Sequence, residues 1–297
     1  MDKDFFVVSK ATADVLYWLQ PLVLFAFGLL HIEPLTWFRC CLACFVVLES
    51  SVLVMSLGFD TLALYAYNGS RIQTQKKRSP LYVQEILSCT MTLMTFSQLM
   101  AWPLARQAMG RPTAFVDNFR DSMPLGNSLL FIIKMCLFVL LADTWTYMKH
   151  RALHHRSIYA FHKIHHTFHD PTAFAAFALH PVEALITFCP VLLFSVDGLG
   201  IYAPFHLPFL GFWGMLNMYL HCGVYVECVE QLLPKLFINT SAFHNIHHEK
   251  TVTHFGEMLF FWDYLLGTDT MRRRNLRSLF NAQPMFPIGR LCKVSEE

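Results

Sequence analysis

Residues 150–166 read HRALHHRSIYAFHKIHH, six histidines in seventeen residues directly after an apolar run. Further along, His244-Asn-Ile-His247-His248 repeats the H-x-x-H-H spacing of His162-Lys-Ile-His165-His166, and His150-Arg-Ala-Leu-His154 precedes both. Residues three and four apart share a helix face, so each grouping is expected to turn its imidazoles toward one common centre. Neutral imidazole suits Zn, Fe, Cu and Ni. Eight such ligands are too many for a four-coordinate zinc, whereas two six-coordinate irons use them and keep positions open for oxygen. The residues therefore point to a di-iron centre.

His221, in Asn217-Met-Tyr-Leu-His221-Cys-Gly, leaves an apolar segment, where an ionisable side chain is a functional candidate. The expected metal ligands are thus His150, His154, His162, His165, His166, His221, His244, His247 and His248. His180 and His155 are further ligand candidates. Asp143, seven residues before His150, is a candidate to orient a ligand, because metal-bound imidazoles usually donate their other N–H to a carboxylate or carbonyl. Asp170, Glu183, Glu249 and Asp263 are weighed for the same role, and His169 and His254 as weaker ligands. His31 and His206 are assigned none.

Composition says where this chemistry sits. Hydrophobic residues make up 55% of the 297 and charged ones only 15%, against about a quarter charged in a soluble domain. A net charge of +2, with no basic stripe among aromatics, gives no reason to expect nucleic acid. The nine cysteines fall mostly in apolar runs, and the Cys41-x-x-Cys44 pair lacks a βαβ context, so both read as packing residues. The opening MDKDFFVVSK lacks the pattern of a secretory signal.

Four apolar runs, about Val15–Ile32, Leu35–Leu57, Leu81–Leu104 and Leu129–Met148, each approach the roughly 20 residues that cross a bilayer core. A fifth region, Val182–Leu220, is broken by Pro190, Gly198, Gly200, Pro204 and Pro208 and reads as a helical hairpin that enters and returns. The expected fold is all-α and integral to the membrane: four transmembrane helices plus the returning hairpin, with a cytosolic histidine-rich helical cap holding a di-metal centre. Tyr17, Trp18, Trp37, Trp102 and Tyr219 are expected as interfacial anchors. Basic residues at Arg71, Lys76, Lys77 and Arg78, after the fourth run, and at Arg272, Arg273, Arg274 and Arg277 put the N-terminus, the histidine clusters and the C-terminus in the cytosol. Arg106, Arg111 and Arg120 oppose this, accompanied by Asp117 and Asp121. The glycosylation patterns at Asn68 and Asn239 would then be unused.

Other chemistries fail on the residues. His248-Glu249 does not continue to H-E-x-x-H, because Val252 takes the last position. There is no G-x-S-x-G and no phosphate loop, and bis-histidine haem ligation does not call for H-x-x-H-H pairs.

The order H-x3-H, H-x2-H-H, H-x2-H-H resembles the fatty acid hydroxylase and sterol desaturase superfamily of membrane non-haem iron enzymes. The segment Asp143-Thr-Trp-Thr-Tyr-Met-Lys-His150, the His180-Pro181 pair and the ending His254-Phe-Gly-Glu…Trp262-Asp263…Gly267-Thr268 are similar to the family's. The likeness runs from about Leu125 to Thr268 and divides the chain into membrane spans (1–124), a catalytic region (125–270) and a cytosolic tail (271–297). Asp170-Pro-Thr-Ala-Phe174 and Ile238-Asn-Thr-Ser-Ala242 resemble the sterol C5-desaturase branch. Phe177 stands where that branch often has histidine, and Cys222-Gly223 replaces its Asp-Gly, which leaves hydroxylation open beside desaturation. The resemblance implies two irons per chain, O2 as co-substrate, and electrons from NAD(P)H through a reductase and cytochrome b5. It also implies an endoplasmic reticulum location and oxidation of a membrane lipid, first a sterol and alternatively a fatty acyl chain or sphingoid base. A non-catalytic membrane protein that binds or transports metal, or acts as a scaffold, is the reading from another class.

Overall fold

The computed structural model describes residues 7–65, 72, 82–169 and 171–269. The basic residues at 71, 76–78 and 272–277, Asn68, Asp170 and the 271–297 tail lie outside these. All regular elements of the described residues are helical.

Ser9 caps α1 (Lys10–His31), its Oγ accepting the Thr12 N–H at 3.1 Å. A two-residue link follows. There the Glu33 carboxylate accepts the N–H groups of Leu35 and Thr36 at 3.0 and 2.6 Å and opens α2 (Pro34–Tyr65). Pro34 costs nothing in this first turn, since its missing N–H would have no helical partner. So short a link folds α2 back on α1. Trp37, fully buried, donates from its indole to Phe25 O at 3.1 Å, and Gly28 leaves room for the ring. Cys41 and Cys44 pack beside it as apolar residues.

Helix α3 (Tyr82–Ala108) packs against α1, α2 and the later α6 (Pro181–Phe188). Its hydroxyls staple its neighbours: Thr95 donates to Gln20 Oε1 at 3.0 Å, Thr90 to Glu49 Oε1 at 2.9 Å and Thr92 to Leu179 O at 3.2 Å. The buried Glu85 accepts from Thr172. The expectation of four spanning runs is met in part. Among the described residues three helices are long and apolar enough to cross a membrane: α1, Pro34–Leu62 of α2, and α4 (Ser128–Leu153). The third run forms α3, whose Ser, Thr, Gln and Glu side chains lower its apolar character. Glu85, Ser88, Thr92, Thr95, Ser97 and Gln98 of that set are buried inside the bundle, which is why the helix tolerates them.

The fifth region does fold back. Helix α6 (Pro181–Phe188) runs on as a 3-10 segment to Ser195, turns near Gly198 and Gly200, and returns as α7 (Ala203–His221). At the turn, Lys134 of α4 donates to Gly200 O and Ser122 O at 2.7 and 3.0 Å. Lys134 is sixteen residues from His150, about 24 Å along the same helix, so α4 and α7 share one end at the lysine and the other at the histidines. Short helices complete that second end: α5 (Tyr159–His162), α8 (Glu227–Leu232), α9 (Ser241–Lys250) and α10 (Phe261–Leu266). Two expected interfacial anchors are core residues instead. Trp37 is buried as above, and Tyr219, also buried, donates to Glu230 Oε1 at 2.6 Å.

A Cβ on Gly28 would fall inside the Trp37 indole. Gly28→Ala is therefore expected to destabilise the α1–α2 hairpin by about 1–3 kcal/mol, the usual range for overpacking, seen as a lower thermal unfolding midpoint of the detergent-purified protein.

Candidate metal centre

Each histidine grouping is set by a local stop. Helix α4 carries His150 and ends at Leu153, with His154 as its cap. Helix α5 lasts one turn and gives way to a 3-10 turn at His165–Thr167. Helix α9 is capped by Thr240, whose Oγ1 accepts the Phe243 N–H at 3.3 Å, and stops at Thr251, which takes a left-handed φ of 58°.

These elements converge. One ring nitrogen from each of His150, His154, His162, His166 and His247 lies within 4.8 Å of all the others in that set. The same holds for His165, His221, His244 and His248. Nine of the predicted residues are thus brought together, but not one centre per grouping, as expected from the sequence. Each H-x-x-H-H box divides. Its first and last histidines, four apart, face one group, and the middle one faces the other. Residues i+3 and i+4 are about 100° apart around a helix, enough to aim them at neighbouring points. The second box sends His162 and His166 to the five-histidine group and His165 to the four-histidine group. The third does the reverse, with His244 and His248 in the group of four and His247 in the group of five.

The hydrogen bonds decide which nitrogen is bare. His150 Nδ1 lies 2.8 Å from Phe255 O, His221 Nδ1 2.8 Å from Asn217 O and His247 Nδ1 2.7 Å from Thr253 O. A carbonyl oxygen only accepts, so these Nδ1 atoms carry the proton and each Nε2 offers a lone pair. His162 Nδ1 lies 2.8 Å from Glu183, whose carboxyl is pushed up to about 8 by burial; in its ionised form it accepts the Nδ1–H and leaves Nε2 bare as well. Yet His166 Nε2 stands 3.0, 3.2 and 3.2 Å from the Nε2 atoms of His162, His154 and His247. One proton on His166 cannot satisfy three such contacts. In the other group His221 Nε2 lies 3.0 Å from His244 Nε2 and 3.3 Å from His165 Nε2. Metal–imidazole bonds of about 2.1 Å meeting at a right angle put their nitrogens about 3 Å apart. His248, 2% exposed, has neither ring nitrogen hydrogen-bonded, which a buried imidazole does not sustain without a ligand. The donor set fits two cations of the imidazole-binding type.

The rings are neutral. Burial first, and then neighbouring imidazoles, holds His162, His165, His244 and His248 well below the ordinary imidazole range, and His247 likewise. Burial takes His154 to about 4 and His166 to about 3.

The remaining candidates sit elsewhere, and their expected roles are corrected. His180 caps α6, its Nδ1 accepting the Val182 N–H at 3.1 Å while its Nε2 reaches Ala13 O at 2.9 Å, so both nitrogens serve to tie α6 to α1. His155 is exposed, and its Nδ1 accepts the Ser157 N–H at 3.4 Å. Asp143 touches no histidine: its Oδ1 accepts the Leu259 N–H at 2.9 Å. Seven residues is about 10 Å of helix, too far for a carboxylate to reach the His150 ring. His169 is exposed and joins neither group. Of the other carboxylates, Glu183 holds a ligand directly. Asp263 works through the backbone, accepting from Phe255 N and Gly256 N at 2.9 and 2.6 Å and from the Thr268 hydroxyl at 2.6 Å. This closes the loop that presents Thr253 O and Phe255 O to His247 and His150. His254 pins the same loop at a left-handed φ of 61°, stacked on Phe243 at 3.9 Å with Nδ1 3.1 Å from Phe243 O. The carbonyl partners have no signature in the sequence. The Lys149–Glu257 pair (2.7 Å), with Glu257 3.6 Å from His150 Nδ1, was legible only as opposite charges flanking two boxes.

The fatty acid hydroxylase family model matches residues 135–268. Similar proteins include a methylsterol monooxygenase of Aspergillus fumigatus, 31% identical over 53% of this chain and 55% of that protein. A lathosterol oxidase of Mus musculus is 32% identical over 46% of this chain and 45% of its own. A sphinganine C4-monooxygenase of Arabidopsis thaliana is 34% identical over 44% of this chain and 51% of its own. The chain thus spans about half the length of the curated relatives it matches. No solved structure matches it.

Asp263→Ala would orphan two buried N–H groups and a hydroxyl, at about 1–3 kcal/mol each. The expected result is a lower unfolding midpoint together with reduced bound metal, measured by thermal denaturation and elemental analysis of the same preparation.

Proposed function

We propose, from the match of residues 135–268 to the fatty acid hydroxylase family, that the protein is a membrane-bound di-iron oxidoreductase acting on a lipid. The observation that carries this reading is the pair of adjoining, all-imidazole groups at one end of an apolar helical bundle. In this reading His150, His154, His162, His166 and His247 hold one iron and His165, His221, His244 and His248 the other. Iron held by these residues would supply the O2 activation that oxidation of an unactivated C–H bond needs. The chain supplies the rest. Glu183 and the carbonyls of Thr253, Phe255 and Asn217 fix the tautomers and ring directions of four ligands. Helix α7 ends at His221 and turns Phe205, Phe212 and Met215 outward, which gives a lipid an apolar surface leading to the centre.

The substrate is a sterol in this proposal, since the names of several matched proteins denote sterol oxidation. A sphingoid base is the second choice, on the match to the sphinganine enzyme. Hydroxylation and desaturation both begin at the same C–H bond. Electrons come from NAD(P)H by way of cytochrome b5 or a reductase, and the location is the endoplasmic reticulum. The proposal retains four spans, with α3 as the inner one, and a cytosolic N-terminus, histidine end and C-terminus. The returning course of α6 and α7 supports that orientation.

After anaerobic loading with ferrous iron, about two irons per chain are expected, falling sharply in a His165→Ala/His247→Ala variant that still reaches the membrane. A single tight zinc, or no metal, would sink the di-iron reading. Tags on the N- and C-termini are expected to be accessible from the same, cytosolic face in a protease-protection assay. Opposite faces would refute the orientation.

A further inference from the structure

Resting on the two-centre reading above, we infer that the two centres are unequal: the five-histidine group binds its metal first and tightly, the four-histidine group holds the exchangeable metal, and Glu183 sets much of the difference.

Ligand number is the first ground. One group offers five imidazoles and the other four, so the second leaves more of a six-coordinate metal's positions to other ligands. Preorganisation is the second. In the five-histidine group three rings are held by their Nδ1–H: His150 by Phe255 O, His162 by Glu183 and His247 by Thr253 O. In the four-histidine group only His221 is so held, by Asn217 O. Among the described residues, Nδ1 of His165, Nδ1 of His244 and both nitrogens of His248 have no hydrogen-bond partner, and in the five-histidine group Nδ1 of His166 has none either. A ring that is already oriented loses little freedom when a metal arrives, whereas an unanchored ring must be ordered at that moment.

The carboxyl groups at the ligands' far nitrogens are the third ground. Glu183 is fully buried and 2.8 Å from His162 Nδ1. A carboxylate on the far nitrogen strengthens an imidazole as a donor, and removing such a partner costs 10–100-fold in metal affinity at typical sites. Glu257 adds a second carboxylate 3.6 Å from His150 Nδ1, partly neutralised by Lys149. No ion pair reaches the four-histidine group among the described residues. Glu183 is therefore a positioning residue for one centre: it touches a ligand of that centre and none of the other's.

The test is a cobalt(II) titration of the full-length, detergent-purified and metal-stripped protein under nitrogen, read by visible absorption and electron paramagnetic resonance. Two steps are expected, separated by at least about tenfold in affinity. Glu183→Gln should weaken the tight step about 10–100-fold and leave the weak one in place. His221→Ala should remove or weaken the weak step and leave the tight one. The His221 variant keeps the ordering testable if Glu183→Gln does not fold. Two cobalt ions bound in one unresolved step would overturn the ordering, as would a Glu183→Gln effect on both steps alike or loss of the tight step in His221→Ala. Those outcomes leave the di-metal reading standing. Failure to bind two cobalt ions at all overturns that reading, and the ordering with it.

Discussion

The structure is organised around imidazole nitrogens that cannot satisfy one another. Nine neutral, largely buried rings bring lone pairs to within 4.8 Å in each of two groups. At several of them a backbone carbonyl or carboxylate has claimed the only proton. An unpartnered buried nitrogen costs about 1–3 kcal/mol, so the cluster is a liability to the folded chain without cations and a strong ligand field with them. Metal binding and stability of this end of the molecule are coupled for that reason.

That constraint explains the irregular cap. One long helix strings its boxes out along a single axis and cannot bring distant boxes to the same two points. The chain interrupts itself instead: α5 is one turn long, a 3-10 turn carries His165 and His166, and α9 is cut off by a left-handed Thr251. Beyond α9, the loop held by Asp263 needs Gly256, where a Cβ would meet the Leu259 carbonyl and the Asp263 carboxylate. The left-handed His254 in the same loop is backbone strain of the kind that persists only where surroundings over-determine it. What this secures is the direction of two carbonyls, and through them the rings of His150 and His247.

The crossed allocation of the boxes also ties the two groups together. Each H-x-x-H-H segment contributes two rings to one group and one to the other, so moving either short element disturbs both. Helices α4 and α7 supply His150 and His221 from the bundle and are joined at their far ends through Lys134. The polar face of α3 braces the interior between them and the N-terminal hairpin. The apolar helices thus hold the cap from beneath, and the cap closes on itself above.

Much of this was legible in the residues. The boxes named eight of the nine histidines that the structure gathers, and His221 stood out as an ionisable residue leaving an apolar segment, because spacing and composition are local properties that survive any packing. The apolar runs named helices long enough for a bilayer, because length and composition are local too. Tertiary structure alone decided the rest. It sent His165 and His247 across to the opposite groups, since that depends on how two short helices face each other. It took His180 for a helix cap and Asp143 for a loop support, since a side chain's partner is whatever lies within its reach in three dimensions. It buried Trp37 and Tyr219, which the sequence placed at an interface, and put the polar face of α3 inside the bundle. The histidine boxes were written in spacing along the chain, but their division between two groups arises only where distant segments meet.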